Sequence, residues 1–392
     1  MRDAGDFLGR AVTIATRYTA VRRQTAPAAG ERELQILDYD NVQQTLVPLV
    51  AKAFALKFMG AWMMATYDSF DAARDRGDFS GLPELHALSS GLKSMCTDAA
   101  AGGIEACRRT CGGHGYSVLS GLPTLFASYV QNVTWEGDNN VMYLQTARFL
   151  LKALAAAGAG GGAPAGSAAY LGRAREEAAA RCVVSEPEDW RAAGNALGAL
   201  RHAAARLALV AADALRAASG GGGGGGGGGL VFEGKPWNDT TVDLIRLARA
   251  HCALALHQTF VAAVGDAAAA GRLSRPAVAV LRRACELHGV VLVEEAVGDL
   301  LEGGHVGAAQ AGWVRDQKRA LTRALRPDAV ALVDAFGYED YLLNSALGRK
   351  DGDVYAALLA AARTSPLNAT QEGPAWGPVL RPLLSPEARS RM

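Results

Sequence analysis

Residues 107–154 constrain the fold more than any other stretch of the chain. They read CRRTCGGHGY, then a short linker, then VTWEGDNNVMYLQTARFLLKAL. Two glycine-dense turns each border a helical pattern, and in the second pattern Val141, Leu144, Ala147, Leu150, Leu151 and Leu154 recur at the spacing of one helix face. Asp138 or Asn139 can cap that helix. Its N-terminus then offers free N–H groups and a positive dipole end, a seat for a phosphate or another anion. Gly112, Gly113 and Gly115 let backbone approach a ligand where a Cβ would collide. Glu136 stands between the turns, flanked by Trp135 and Gly137, and an acid placed there just before a helix start does not serve packing. Taken separately, GGHG also reads as a helix C-cap and EGDN as a loop, so the residues alone leave both readings open.

Helix is expected throughout. Alanine is abundant, aromatic residues are only 7%, and no alternating, β-rich segment of barrel size is present. Residues 7–24 read as a helix that ends in Arg22-Arg23-Gln24. Residues 38–76 form a long helical pattern, expected to bend near Pro48. Pro83 suits the first position of a third helix running towards Cys111. With 139–154 these make an antiparallel bundle over residues 1–154. Residues 155–167 are low-complexity linker. A second bundle is expected over 168–365, with helices at 168–218, 237–271, 275–301, 308–325 and 327–347. It is interrupted by ten glycines at 220–229, which are expected to be disordered. Residues 366–392 form a proline-punctuated tail, expected to lie extended on the surface. The fold class is therefore all-α, built as two helical bundles.

Composition removes several functions. A net charge of +1 with 20% charged residues gives no basic surplus for nucleic acid or anionic lipid. No run of about eighteen apolar residues occurs, since Lys57 interrupts the most hydrophobic segment, so no membrane span is expected. The N-terminus lacks the apolar core of a secretory signal. Three Asn-X-Thr sequons, at Asn132, Asn238 and Asn368, should then stay unmodified. The six cysteines lack disulfide-like density and suit a reducing compartment. Cys107, Cys111 and His114 have helical spacing, but a zinc site needs a fourth ligand and Gly112-Gly113 would break the helix. No metal is assigned. The final Ser390-Arg391-Met392 keeps the small, basic, apolar order of a C-terminal peroxisomal address.

CGGHGY followed by TWEGDNNVMYLQTARFL resembles the C-terminal α-domain of the peroxisomal acyl-CoA oxidases, relatives of the acyl-CoA dehydrogenases. RYTAVRRQ, QILDYDNVQQ, LPELHALSSGLK, GIEACR, WNDTTVDLIRLARAH, DYLLNSALGRKDGDVY and SPLN are similar to that family as well, in the same order along nearly the whole chain. The resemblance implies a peroxisomal, FAD-dependent oxidase that converts acyl-CoA to trans-2-enoyl-CoA and reduces O2 to H2O2. It implies Glu136 as the catalytic base, with Gly112, Gly113, Gly137, Asp138 and Asn140 contacting FAD. It also implies a homodimer in which Arg22 and Gln24 reach the FAD pyrophosphate of the other subunit. Without the resemblance, an arginine pair at a helix end reads as dipole compensation. Implied partners are acyl-CoA, molecular oxygen and, through Ser390-Arg391-Met392, a peroxisomal import receptor.

The chain departs from that family in two places. Where relatives of the dehydrogenase type carry an aromatic-Gly pair after Gln24, Thr25-Ala26 stand here. The N-terminal helical and β-barrel domains expected to cover the flavin and part of the acyl-CoA have no counterpart in the sequence. The chain is therefore expected to be a portion of an oxidase, binding FAD poorly and turning over slowly or not at all by itself. Two other functions remain: a dehydrogenase that passes electrons to a carrier protein, and a non-catalytic helical module that dimerises with a full-length partner.

Overall fold

The computed structural model describes residues 1–159, 163–220, 230–370 and 372–384. It is all-helical apart from one two-residue ribbon. In the first half α1 spans Arg2–Val21, α2 Asp40–Arg74, α3 Leu82–Thr110, α4 Gly112–Tyr116, α5 Leu122–Tyr129 and α6 Asn139–Gly158. In the second half α7 spans Ala174–Ala179, α8 Ala193–Ala218, α9 Gly234–Asp239, α10 Thr241–Ala269, α11 Arg275–Glu295 and α12 Val297–Glu302. They are followed by α13 Ala308–Leu325, α14 Ala329–Asp334, α15 Asp340–Leu343 and α16 Val354–Arg363. α1 lies against α2 and α3, α3 against α6, and α10 against α8, α6 and α2. One core runs through all of them, from Leu8, Ile14, Leu56 and Leu92 to Ala204, Phe260, Leu287 and Leu325. Helical spacing of these apolar positions is what turns each helix's stripe inward.

Buried alanines explain how closely the second half packs. α8 buries Ala196, Ala199, Ala203, Ala204, Ala205, Ala208, Ala211 and Ala212, small side chains that let neighbouring helices approach while costing little helix propensity. α2 continues through Pro48, which lies inside it. By length and composition α2 and α10 would suffice to cross a membrane. Core helices pass the same test, and here both contribute fully buried residues such as Leu56 and Phe260 to the common interior.

Several expected elements differ from those observed. The first helix stops at Val21 rather than Gln24, because Arg22 turns extended. Arg23–Gln24 then form β1, which pairs antiparallel with β2, Leu34–Gln35. The helix expected over 168–218 is broken at 180–192, where the backbone is taken up by neighbours instead. Cys182 N donates to His305 O at 2.9 Å, and the Gln310 side chain donates to Val184 O at 2.8 Å. The helix expected over 327–347 is interrupted by Gly337 and Asn344, both at positive φ. The expected linker is bounded by order: α6 continues to Gly158, and Ser167 N donates to Glu84 Oε1 at 2.6 Å. The tail, expected to be extended, contains short helical turns at Pro366–Asn368, Trp376–Leu380 and Arg381–Leu384. Residues 221–229 of the glycine run and Ser390-Arg391-Met392 lie outside the described residues.

One ion cluster ties the ends of the chain together. Arg17 on α1 is 5% exposed. Its guanidinium meets Asp334 at 2.8 Å and Asp340 at 3.5 Å, and it donates to Gly348 O at 2.7 Å. Removing a buried cation that satisfies two carboxylates is costly, although both acids are about one-third exposed, which screens part of the loss. Arg17→Met is expected to lower unfolding free energy by about 2–4 kcal/mol in urea titration. A loss below about 0.5 kcal/mol would show the cluster to be no stronger than a surface pair.

Candidate active site

The turn before α6 is backbone held in an uncommon conformation. Glu136 has φ +55° and Gly137 φ +102°. A non-glycine residue in the left-handed region costs about 1–3 kcal/mol and persists only where neighbours hold it. Gly137 is favoured by that positive φ, and a Cβ there would also push on the Met142 side chain, 2.5 Å from its Sδ. Asp138 is the N-cap of α6: its Oδ1 accepts from Asn140 N at 2.9 Å. Glu136, Gly137, Asp138 and Asn140 are exposed, and Trp135 is half exposed with its Nε1 donating to Asn132 Oδ1 at 2.9 Å.

Beneath this exposed turn, Asn139 is buried and bonded to α3. Its Nδ2 donates to Asp98 Oδ1 at 2.7 Å, Thr97 Oγ1 at 3.0 Å and Ser94 O at 3.2 Å. Ser94 Oγ returns a bond to Asn139 O at 3.0 Å. Lys93 Nζ donates both to Asn139 Oδ1, at 2.8 Å, and to Gly137 O, at 2.7 Å. Burial lowers the Lys93 pKa, opposed by the charges of Asp138, Glu136 and Asp98. Neither Lys93 nor Asn139 was singled out from the sequence for this role. The only available signals were that Lys93 ends the family-like LPELHALSSGLK and that Asn139 follows the capping aspartate.

A second group of the expected residues converges at the end of α1. Arg22, Gln24, Gly112 and Gly113 line one cavity of about 250 Å³ together with Tyr18, Ile36, Thr110, Cys111 and His114. Arg22 Nη2 donates to Gln24 Oε1 at 3.1 Å and Nη1 to Tyr355 OH at 3.3 Å, which leaves further N–H donors on the guanidinium. His114 stacks on Tyr18 at 5.7 Å between ring centroids, and its Nδ1 is buried without a partner. Gly115 is required by packing, because a Cβ there would collide with Arg108 O. Gly113 is not: its φ is ordinary and a Cβ would meet nothing within 4 Å. Bare backbone with space above it, beside an arginine, suits an anionic group that must come close. Cys107 and Cys111 are buried, and burial pushes both thiols up, Cys111 to about 12, so neither offers a thiolate at neutral pH.

The expected residues thus fall into two clusters, the cavity and the α6 turn. The cavity lining does not include Glu136 or the residues after it.

An all-helical chain of this kind, with a capped helix behind an exposed acid and a glycine-floored cavity, falls by comparison with known proteins in the helical class of the acyl-CoA oxidases. The family model "Acyl-CoA oxidase, C-alpha1 domain" matches residues 1–151, and the model "Acyl-CoA oxidase" matches residues 194–385. The chain belongs to the acyl-CoA oxidase family, as its C-terminal portion. It is 40% identical over 390 residues to peroxisomal acyl-coenzyme A oxidase 1 of Arabidopsis thaliana, covering 99% of this chain and 56% of the relative. It is 39% identical over 370 residues to the Homo sapiens protein of the same description, covering 93% of this chain and 54% of the relative. The solved Arabidopsis thaliana acyl-CoA oxidase 1 superposes with a TM-score of 0.88 at 39% identity, over 100% of this chain and 56% of that one. Acyl-CoA oxidase-1 of Caenorhabditis elegans, complexed with FAD and ATP, superposes with a TM-score of 0.86 at 32% identity, over 97% and 55%. The chain therefore spans little more than half the length of the relatives it matches. Their names agree with the peroxisomal location read from the sequence.

Proposed function

We propose that this chain is the part of a peroxisomal acyl-CoA oxidase that carries the catalytic base and one face of the flavin site, and that it acts as a homodimer. The substrate is an acyl-CoA thioester, and the product trans-2-enoyl-CoA. Glu136 takes the α-proton of the thioester. FAD, when bound, supplies the redox chemistry, accepting the β-hydrogen as hydride and passing electrons to O2 to give H2O2. Arg22 and Gln24 would hold its diphosphate by charge-assisted bonds, and Gly112 and Gly113 would let the backbone come close. Gly137, Asp138 and Asn140, at the N-terminus of α6, would contribute further contacts to the same cofactor.

The observation that carries this reading is the convergence of Arg22, Gln24, Gly112 and Gly113, about ninety residues apart, on one cavity. At about 250 Å³ it is smaller than the roughly 300–1,000 Å³ that a drug-sized ligand fills, so it can seat one group of a larger molecule. Its separation from the α6 turn within a single chain fits a site completed by a second subunit. Because the chain spans little more than half the length of its relatives, FAD should bind weakly to it even as a dimer, and Arg22→Ala should weaken that binding further, about tenfold, in a flavin fluorescence titration. Equal flavin affinity in the variant would remove Arg22 from the site.

The exposure of Glu136 supports the expectation of low activity alone. Proton abstraction from a carbon acid requires water to be excluded around the carboxylate. Stoichiometric flavin and palmitoyl-CoA-dependent peroxide from the purified chain would overturn that part. Ser390-Arg391-Met392 is proposed as the import-receptor signal.

A further inference from the structure

We propose that Lys93, seated on the buried Asn139 amide, is a positioning residue that holds the Glu136–Gly137 turn in its strained form and so sets the direction of the Glu136 carboxylate. The inference rests on the reading of Glu136 as the base and adds the part of the chain that aims it. The turn contains two consecutive residues at positive φ. Such a conformation persists only where its surroundings hold it. Between Trp135 and Asp138, the contact to the backbone from another helix is Lys93 Nζ to Gly137 O, at 2.7 Å. That carbonyl belongs to the peptide between Gly137 and Asp138, so the bond pins the C-terminal side of the two positive-φ residues, directly before the α6 cap.

The anchor is itself fixed. Lys93 lies one turn before Thr97, on the face of α3 that meets α6, and its second bond goes to Asn139 Oδ1. Asn139 cannot turn away, because one hydrogen of its Nδ2 is committed to Asp98 Oδ1 and the other is shared between Thr97 Oγ1 and Ser94 O, while Thr97 Oγ1 in turn donates to Lys93 O at 2.9 Å. The lysine is thus a strut between a rigid helix pair and one loop carbonyl. A freely hydrated surface lysine would not have its charge opposed chiefly by burial. A neutral side chain of similar length would fill the same space and leave Gly137 O without its donor.

The test is amide hydrogen exchange of the purified chain, wild type against Lys93→Met and Lys93→Arg. Loss of one charged hydrogen bond should speed exchange of the hydrogen-bonded amides that flank the turn, Trp135, Asn140 and Met142, by about tenfold or more in Lys93→Met, while core amides of α1 and α10 keep their rates. Lys93→Arg, which still donates to both oxygens, should recover most of the protection. Unchanged local exchange in Lys93→Met, or uniform acceleration through the chain, overturns the proposal. A full-length oxidase that carries this C-terminal half adds a second readout: Lys93→Met should lower kcat about tenfold with KM for acyl-CoA held within about twofold, because a misaimed base weakens the chemical step and not binding. Altered exchange with kcat and KM both unchanged would refute the positioning role even though the strut exists. By contrast, full turnover in Glu136→Gln would refute the base assignment while leaving the exchange result standing, so the two failures can be told apart.

Discussion

Glu136→Gln, placed in a full-length oxidase that carries this C-terminal half, is expected to lower acyl-CoA-dependent peroxide formation by about 10²–10⁴-fold, the usual contribution of a positioned general base. KM and flavin content should change little. Glutamine matches glutamate in shape, and the turn is held through Gly137 O and the Asp138 carboxylate rather than through the Glu136 side chain. A companion variant separates chemistry from conformation. Glu136→Gly removes the carboxylate and also relieves a left-handed φ, so it should abolish turnover while stabilising the isolated chain by about 1 kcal/mol in denaturant unfolding. If Glu136→Gly is both inactive and more stable, the strain at this position is maintained for function. Peroxide formation within about fivefold of wild type in Glu136→Gln would end the assignment of this residue as base.

Much of the architecture could be read from residue patterns because it rests on local periodicity. The helix expected at 308–325 is observed as Ala308–Leu325, and the one after Asp138 begins at Asn139. Both have a clear stripe and a recognisable start. The all-α class follows from the same signal. Patterns failed where long-range contacts decide the backbone. Residues 327–347 look helical, but Asp334 and Asp340 must both turn towards Arg17, which lies more than three hundred residues earlier, and the helix breaks between them. Gln24 looked like the last turn of a helix, but its strand pairing depends on Leu34. At the site, RRQ and CGGHGY were visible as words; that they share a cavity was not, because it depends on the packing of α1 against α3. The polar network of Lys93, Asn139, Ser94, Thr97 and Asp98 was hidden for a different reason. Its members are ordinary polar residues at helical positions, and only burial makes them exceptional.

Buried histidines escaped notice for the same reason, and they carry the largest stability effect. His251, His257, His288 and His202 are each 1% exposed or less. His257 and His288 share one hydrogen between their Nδ1 atoms at 3.2 Å, and their Nε2 atoms have no partner. His202 Nδ1 must donate to Glu177 O at 3.0 Å, so its unpartnered Nε2 is the only place for a second proton, with His305 stacked 4.4 Å away and Arg206 beside it. Burial lowers the pKa of His251 and His257 to about 4, burial and the neighbouring His305 do the same for His202, and His288 is lowered well below the ordinary value by burial and by His257. In the unfolded chain all four titrate near pH 6.5. Between that value and about 4 the unfolded state binds protons that the folded state refuses, so stability must fall as pH falls and is fully present only above about 6.5. Each group can contribute about 1.4 kcal/mol per pH unit once the unfolded form is protonated. Because His257 and His288 are coupled, we count them as one, which leaves three contributions and a loss on the order of 5 kcal/mol between pH 6.5 and 5. That equals the lower end of the stability of an ordinary domain, so acid unfolding should begin well above the range where carboxylates protonate. Calorimetric melting at fixed salt reads the effect directly: Tm should fall steeply from pH 6.5 to 5, and His251→Phe should flatten the slope by about one third. A Tm that stays level down to pH 4.5 would mean that these imidazoles accept protons inside the fold, and the interior would then have to open around them without unfolding.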